Sequence, residues 1–165
     1  MGCAAAGVVH RDLKPANVIF YFARNEWALI DMGGAAMIGS EAPITCTLAY
    51  AAPETIHALA HGERTVIADA AVDVWALGVM AFELFTRTRA FEYGSREVIE
   101  AAMREPDTLP WERTGDPEID YNMRRMGWMK DDILRMLTRD PRQRLSVRDA
   151  VRRWRSHLHQ ATTYR

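Results

Sequence analysis

His10-Arg11-Asp12-Leu13-Lys14-Pro15-Ala16-Asn17 sets a carboxylate, a cation and an amide at fixed steps along one short stretch. Pro15 excludes a helix interior, so the stretch is expected to be extended, with side chains alternating between two faces. Asp12 and Lys14 then share one side while Leu13 points the other way, toward a core. A carboxylate beside an ammonium suits the acceptance of a proton from a hydroxyl next to a phosphate, the lysine offsetting charge on the transferring group. A surface turn in which Asp12 and Asn17 satisfy local backbone groups is the plainer reading of the same spacing.

Working outward, Val18-Ile19-Phe20-Tyr21-Phe22 and Trp27-Ala28-Leu29-Ile30 are short β-branched and aromatic runs separated by Ala23-Arg24-Asn25-Glu26. They predict a β-hairpin. An antiparallel hairpin brings the chain back to its start, so Asn17 before the first strand and Asp31 after the second become neighbours. One amide and one carboxylate beside a nucleotide make a sensible partial magnesium site, because magnesium takes hard oxygen ligands and keeps positions for water and phosphate oxygens. Taken alone, Asp31-Met32-Gly33 reads equally well as a turn.

The order of the motifs carries more than any one of them. His10 to Asn17 is followed by Asp31-Met32-Gly33, Ala52-Pro53-Glu54, Asp73-Val74-Trp75-Ala76-Leu77-Gly78 and Arg139-Asp140-Pro141-Arg142-Gln143-Arg144-Leu145. This succession resembles the protein kinase family, with its catalytic loop, its Asp-Phe-Gly, its Ala-Pro-Glu and its Asp-x-Trp-x-x-Gly helix. The resemblance covers roughly residues 7 to 155. Lys14 together with Thr47-Leu48-Ala49-Tyr50-Ala51-Ala52-Pro53-Glu54 is similar to the serine/threonine-specific branch.

Residue by residue, the resemblance implies that Asp12 is the base for the substrate hydroxyl and that Lys14 contacts the γ-phosphate of ATP. It implies Asn17 and Asp31 as Mg2+ ligands, Ile19 beneath the adenine ring, and Thr47 as the hydroxyl joining Asp12 and Lys14 in the docking segment. His10 and Arg11 belong to the structural frame of the catalytic loop, and Asp73 braces its backbone from a central helix. Arg144 is expected to pair with Glu54 in a buried, structural ion pair. The activation segment is residues 31–54. Arg11 is of the kind that grips an activation-loop phosphate, for which Ser40 and Thr45 are the acceptors.

Three departures from the family pattern stand out. Met32 replaces the usual Phe and fills the same apolar slot. Ala16 stands where kinases preferring basic substrates often carry Glu, leaving Glu83 on the central helix as the acid available for that role. Ahead of His10 there is no counterpart of the Gly-rich loop, of the lysine on the family's third strand or of its glutamate partner. Met1 to Val9 resembles the last turn of a helix leading into the catalytic loop. The expectation is therefore a C-terminal lobe alone, which completes a serine/threonine kinase only with an N-terminal lobe, from upstream or from a partner chain, and which by itself is nearly inactive. The other class of function weighed is a non-catalytic, pseudokinase-like module that binds proteins through the docking surface.

Composition bounds the rest. The chain has 165 residues, 48% hydrophobic and 26% charged, with net charge −1, which suits one domain spanning residues 1–165. A protein substrate is the expected partner, and the charge balance argues for neither nucleic acid nor membrane. Cys3 and Cys46 are far apart and lack a histidine pattern, so a reducing, intracellular compartment is expected, without disulfide or zinc. Ala70 to Phe85 is almost wholly apolar but short for a bilayer and carries Asp73 and Glu83, so it reads as a buried central helix. Met1-Gly2-Cys3 is followed by Ala at position 6, which does not suit N-acylation.

The remaining segments read as helical scaffold. A helix is predicted over 95–103, a loop over 105–122, and a helix after Asp131-Asp132 with the acids at its start. Ser146-Val147-Arg148-Asp149 is a capping-box pattern opening the last helix, whose Arg148, Arg152, Arg153 and Arg155, followed by His157 and His159, read as a solvated face. His57 and His61 read as surface residues. The fold class expected is mainly α, of the α+β kind: a helical bundle around a buried central helix, with a small hairpin carrying the site.

Overall fold

The computed structural model describes residues 6–91, 109, 111, 117, 120, 121 and 127–163, with side chains up to residue 157. The readings made for Cys3, for a helix over 95–103, for most of the loop over 105–122 and for the side chain of His159 fall outside those residues.

The hairpin forms from β2, Val18–Tyr21, and β3, Glu26–Leu29. Val18 pairs with Leu29, Ile19 with Ala28, Phe20 with Trp27 and Tyr21 with Glu26. A single turn over Phe22–Arg24 closes it, and Asn25 takes the left-handed conformation (φ 53°) that asparagine tolerates. The period-2 rule puts Phe20 and Trp27 on one face and Ile19 and Ala28 on the other. Phe20 meets the Trp27 ring at 5.1 Å and the Phe22 ring at 4.9 Å, both edge-on.

Two further ladders tie distant stretches together. β1, Val8–Val9, pairs with β4, Ala36–Met37, and β5, Glu41–Pro43, pairs with β6, Thr65–Ile67. These strands have two or three residues each, too few for an alternation to appear in sequence. Their effect is to pin residues 36–43 from both sides.

The helices surround α2, Ala71–Thr86, which follows α1, Pro53–Ala60. Val79 and Phe82 on α2 and Ile133 on α3, Gly127–Met136, are completely buried, and Ile56 on α1 is nearly so. Leu13, Trp75, Phe91, Trp111 and Leu137 belong to that core. α2 and α3 approach so closely that a Cβ added to Gly78 would lie 2.8 Å from Met136 Cβ. Only glycine permits that approach. A second, smaller core joins Val74, Met136 and Ala150 to Leu145, Val147 and Trp154, docking α4, Val147–Thr163.

Asp131 and Asp132 differ from their sequence reading: they lie inside α3, which begins at Gly127. Asp132 is fully buried and accepts from Arg153 Nε at 2.6 Å, so this acid docks α4 rather than capping a helix. Ser146 Oγ accepts from the Asp149 N–H at 3.1 Å and donates to Asp149 Oδ2 at 2.8 Å, a capping arrangement closed between the two side chains. No described helix is long and apolar enough to cross a membrane.

Candidate active site

Two backbone features shape the stretch from His10 to Asn17. Arg11 adopts φ 72°, a left-handed kink that turns the chain, and Pro15–Asn17 forms a single tight turn with proline at its start. Between them Lys14 is fully extended, so Leu13 is buried while Lys14 and Asp12 emerge on the other side. The stretch is thus extended only across its centre.

The kink is held from below by Asp73, in the first turn of α2. Asp73 Oδ2 accepts from the His10 N–H and Oδ1 from the Arg11 N–H, each at 2.8 Å. Burial pushes this carboxyl above the ordinary carboxylate value, and the two amide donors pull the other way. His10 is itself fully buried; its Nε2–H donates to the Ile30 carbonyl at 3.0 Å, which fixes the tautomer and links the loop to the end of β3. Arg11 Nη2 donates to the Pro43 carbonyl, fastening the loop to β5.

Three side chains then close a triangle. Lys14 Nζ donates to Asp12 Oδ2 at 2.8 Å and to Thr47 Oγ1 at 2.8 Å, and Thr47 Oγ1 donates to Asp12 Oδ1 at 2.8 Å. Both Asp12 oxygens are engaged, so the carboxylate has one orientation. Arg11, Asp12, Cys46, Thr47 and Tyr50 line a narrow cleft beside it. Burial is the largest influence on the Cys46 thiol and pushes its pKa up; the Asp12 charge adds to this and Arg11 opposes it.

Asn17 and Asp31 stand on adjoining rungs, because the Ile30 N–H donates to the Asn17 carbonyl at 3.0 Å. Asn17 is buried, and its Nδ2 donates to the Asp12 carbonyl at 2.8 Å, leaving Oδ1 as the atom for a cation. Asp31 is exposed, sits at φ 60°, and makes no side-chain cap to its own turn. An amide oxygen and an exposed carboxylate form a hard-oxygen pair that fits Mg2+. Ile19 is 39% exposed on the hairpin face opposite Phe20, so it offers an apolar surface to solvent.

Glu54 and Arg144 meet outside the cleft lining. Arg144 donates to Glu54 through Nη1 at 2.7 Å and Nη2 at 2.9 Å, and to the carbonyls of Thr138, Ala71 and Arg139 at 2.8, 2.8 and 3.0 Å. Its side chain is wholly buried, the guanidinium 5.2 Å from the Trp75 ring centroid. A fork with every donor engaged locks α1 to the start of α2 and to the 138–144 segment. Ser40 Oγ donates to the Met37 carbonyl, and Thr45 is exposed and packs against Gly34.

The sequence reading missed the cluster of Tyr50, Glu83 and Arg89, in which Tyr50 Oη donates to Glu83 Oε2 at 2.9 Å and accepts from Arg89 Nη1 at 2.9 Å. Only the six-residue spacing of Glu83 and Arg89 across a helix end hinted at it.

A family model of the protein kinase domain matches residues 3–154. The SNF-related serine/threonine-protein kinase of Rattus norvegicus is 34% identical over 151 residues, which are 89% of this chain and 18% of that protein. An Aurora kinase of Candida glabrata is 33% identical over 143 residues, 85% of this chain and 35% of its own length. A CDPK-related protein kinase of Daucus carota is 30% identical over 158 residues, 90% of this chain and 23% of its own. The chain therefore belongs to the protein kinase family, and it spans between 18% and 35% of the length of these three kinases, the first of which is a serine/threonine-protein kinase.

Proposed function

We propose that this chain, as one domain over residues 1–165 with its activation segment at 31–54, supplies the hydroxyl-activating and metal-holding half of a protein serine/threonine kinase. The observation that carries this is the triangle of Asp12, Lys14 and Thr47, with all three separations at 2.8 Å. Asp12 is the proton acceptor for a serine or threonine hydroxyl. Thr47 holds that carboxylate in one orientation, and Lys14, already at hydrogen-bond range, presents positive charge to the γ-phosphate of ATP. Ile19 lies beneath the adenine. Asn17 and Asp31 are the Mg2+ ligands, and the ion when bound neutralises charge on the phosphate oxygens.

His10, Arg11 and Asp73 act through the loop backbone, and Glu54 with Arg144 holds the scaffold on which the docking segment rests. Phosphoryl transfer needs charge neutralisation on both sides of the phosphates. Activity is accordingly proposed for these residues together with an N-terminal lobe that covers the nucleotide; the chain alone is expected to be a poor catalyst.

Calorimetric titration of the chain with ATP, with and without magnesium, tests the metal and nucleotide assignment. The expected result is binding weaker than micromolar that requires magnesium and is lost in Asp31→Asn. Binding unaffected by magnesium and by Asp31→Asn would remove Asn17 and Asp31 from the site.

A further inference from the structure

Glu83 reads from the sequence as an acid free to meet a basic residue of a substrate, and the fold puts it to another use. Tyr50 connects it to the cleft: its buried ring lines the cleft with Arg11, Asp12 and Thr47, and its hydroxyl donates to Glu83 Oε2 at 2.9 Å. Arg89 Nη1 donates to that same hydroxyl at 2.9 Å and lies 3.3 and 3.5 Å from the two Glu83 oxygens. The Glu83 side chain is 12% exposed and that of Arg89 47%, so the guanidinium lies over the carboxylate on its solvent side.

The turn that returns Arg89 to Glu83 is built rather than incidental. α2 ends at Arg87 in the left-handed conformation, φ 54°. Thr86 Oγ1 donates to the Phe82 carbonyl at 2.8 Å and accepts from the Thr88 N–H at 3.2 Å. Glu83 and Arg89 are thus held on one short piece of chain, and a cation arriving from solution must displace an intramolecular partner at high effective concentration. The other acids near the cleft are committed as well. Asp12 pairs with Lys14, and Asp73 faces the His10 and Arg11 amides. Among the described residues that line the cleft the acid is Asp12, and Lys14 already holds it.

We propose that Arg89 is a specificity-determining residue, an internal cation that occupies Glu83 and shuts basic side chains out of the peptide-docking face. The substrate class is then a serine or threonine set among neutral or acidic residues. This rests on the kinase reading for the identity of the docking face, and it deepens that reading.

The test is equilibrium binding of three fluorescent serine peptides, with Arg, Ala or Glu around the hydroxyl, to the 165-residue chain and its variants. The wild type binds the Arg peptide least. Arg89→Ala raises affinity for the Arg peptide about tenfold, the value of one hydrogen bond to a newly freed charge. Arg89→Lys keeps the wild-type ranking, and Glu83→Gln combined with Arg89→Ala loses the gain. An unchanged ranking in Arg89→Ala with an unaltered melting curve overturns the proposal, and Arg89→Gln replaces that variant if it unfolds. A gain that persists in the double variant overturns it too, since general charge would then be responsible, as does failure of every variant to bind any peptide. Phosphoryl transfer is not read, so a negative result here leaves the catalytic reading standing and the absence of transfer leaves the ranking readable.

Discussion

Thr47 illustrates how one hydroxyl orders a carboxylate. It donates to Asp12 and accepts from Lys14, so removing it frees Asp12 to rotate while Lys14 still pulls on one oxygen. A loss of orientation of this kind costs rate rather than stability. In a catalytically complete form, Thr47→Ala is expected to lower kcat roughly 10- to 100-fold, and Thr47→Ser to restore most of it, as steady-state kinetics with a serine peptide will show. A melting temperature that falls in step with kcat would instead mark Thr47 as structural. Arg144 is the contrasting residue: its guanidinium is saturated by one carboxylate and three carbonyls, none of them in the cleft.

The elements differ in how plainly they could be read beforehand. β2, β3 and α2 were legible, because an alternating aromatic pair of runs and a long apolar stretch each have one economical interpretation. The neighbourhood of Asn17 and Asp31 followed from the hairpin alone. The ladders β1 with β4 and β5 with β6 were not legible, since strands of two or three residues have no period and are placed by tertiary contacts. The buried pair of Asp132 and Arg153 was hidden for a related reason: a charged residue at a core position looks solvent-facing until its partner, 21 positions away, is known. Gly78 tests the packing of α2 on α3. Alanine there gains about 1 kcal/mol of helix propensity, but its Cβ would meet Met136 Cβ at 2.8 Å, and overpacking costs about 1–3 kcal/mol. The clash involves atoms close to both backbones and cannot relax by a rotamer change, so Gly78→Ala is expected to destabilise in urea denaturation. A stabilised variant would mean that the helices sit further apart.

At the scale of the molecule, alkaline pH reports on the cluster of Tyr50, Glu83 and Arg89. Burial above all, with the Glu83 hydrogen bond and charge adding to it, pushes the Tyr50 phenol from its ordinary 10.0 up to about 12. Between those values the native state keeps a proton that the unfolded chain has released, so stability is present in full below pH 10 and falls as pH rises toward 12. Tyr50→Phe should flatten that part of the denaturation-versus-pH curve, and an unchanged slope would place the phenol in open water. The whole arrangement joins a hairpin, a braced loop and the segment 47–54 around the carboxylate of Asp12. Its central claim is that this carboxylate takes the proton of a substrate hydroxyl. The most direct measurement is transfer of the γ-phosphate of ATP to serine peptides by the chain joined to a protein-kinase amino-terminal lobe, with Asp12 and with Asp12→Asn. The account predicts transfer that falls about 10²- to 10⁴-fold in the variant while nucleotide binding persists; transfer undiminished by Asp12→Asn would contradict it.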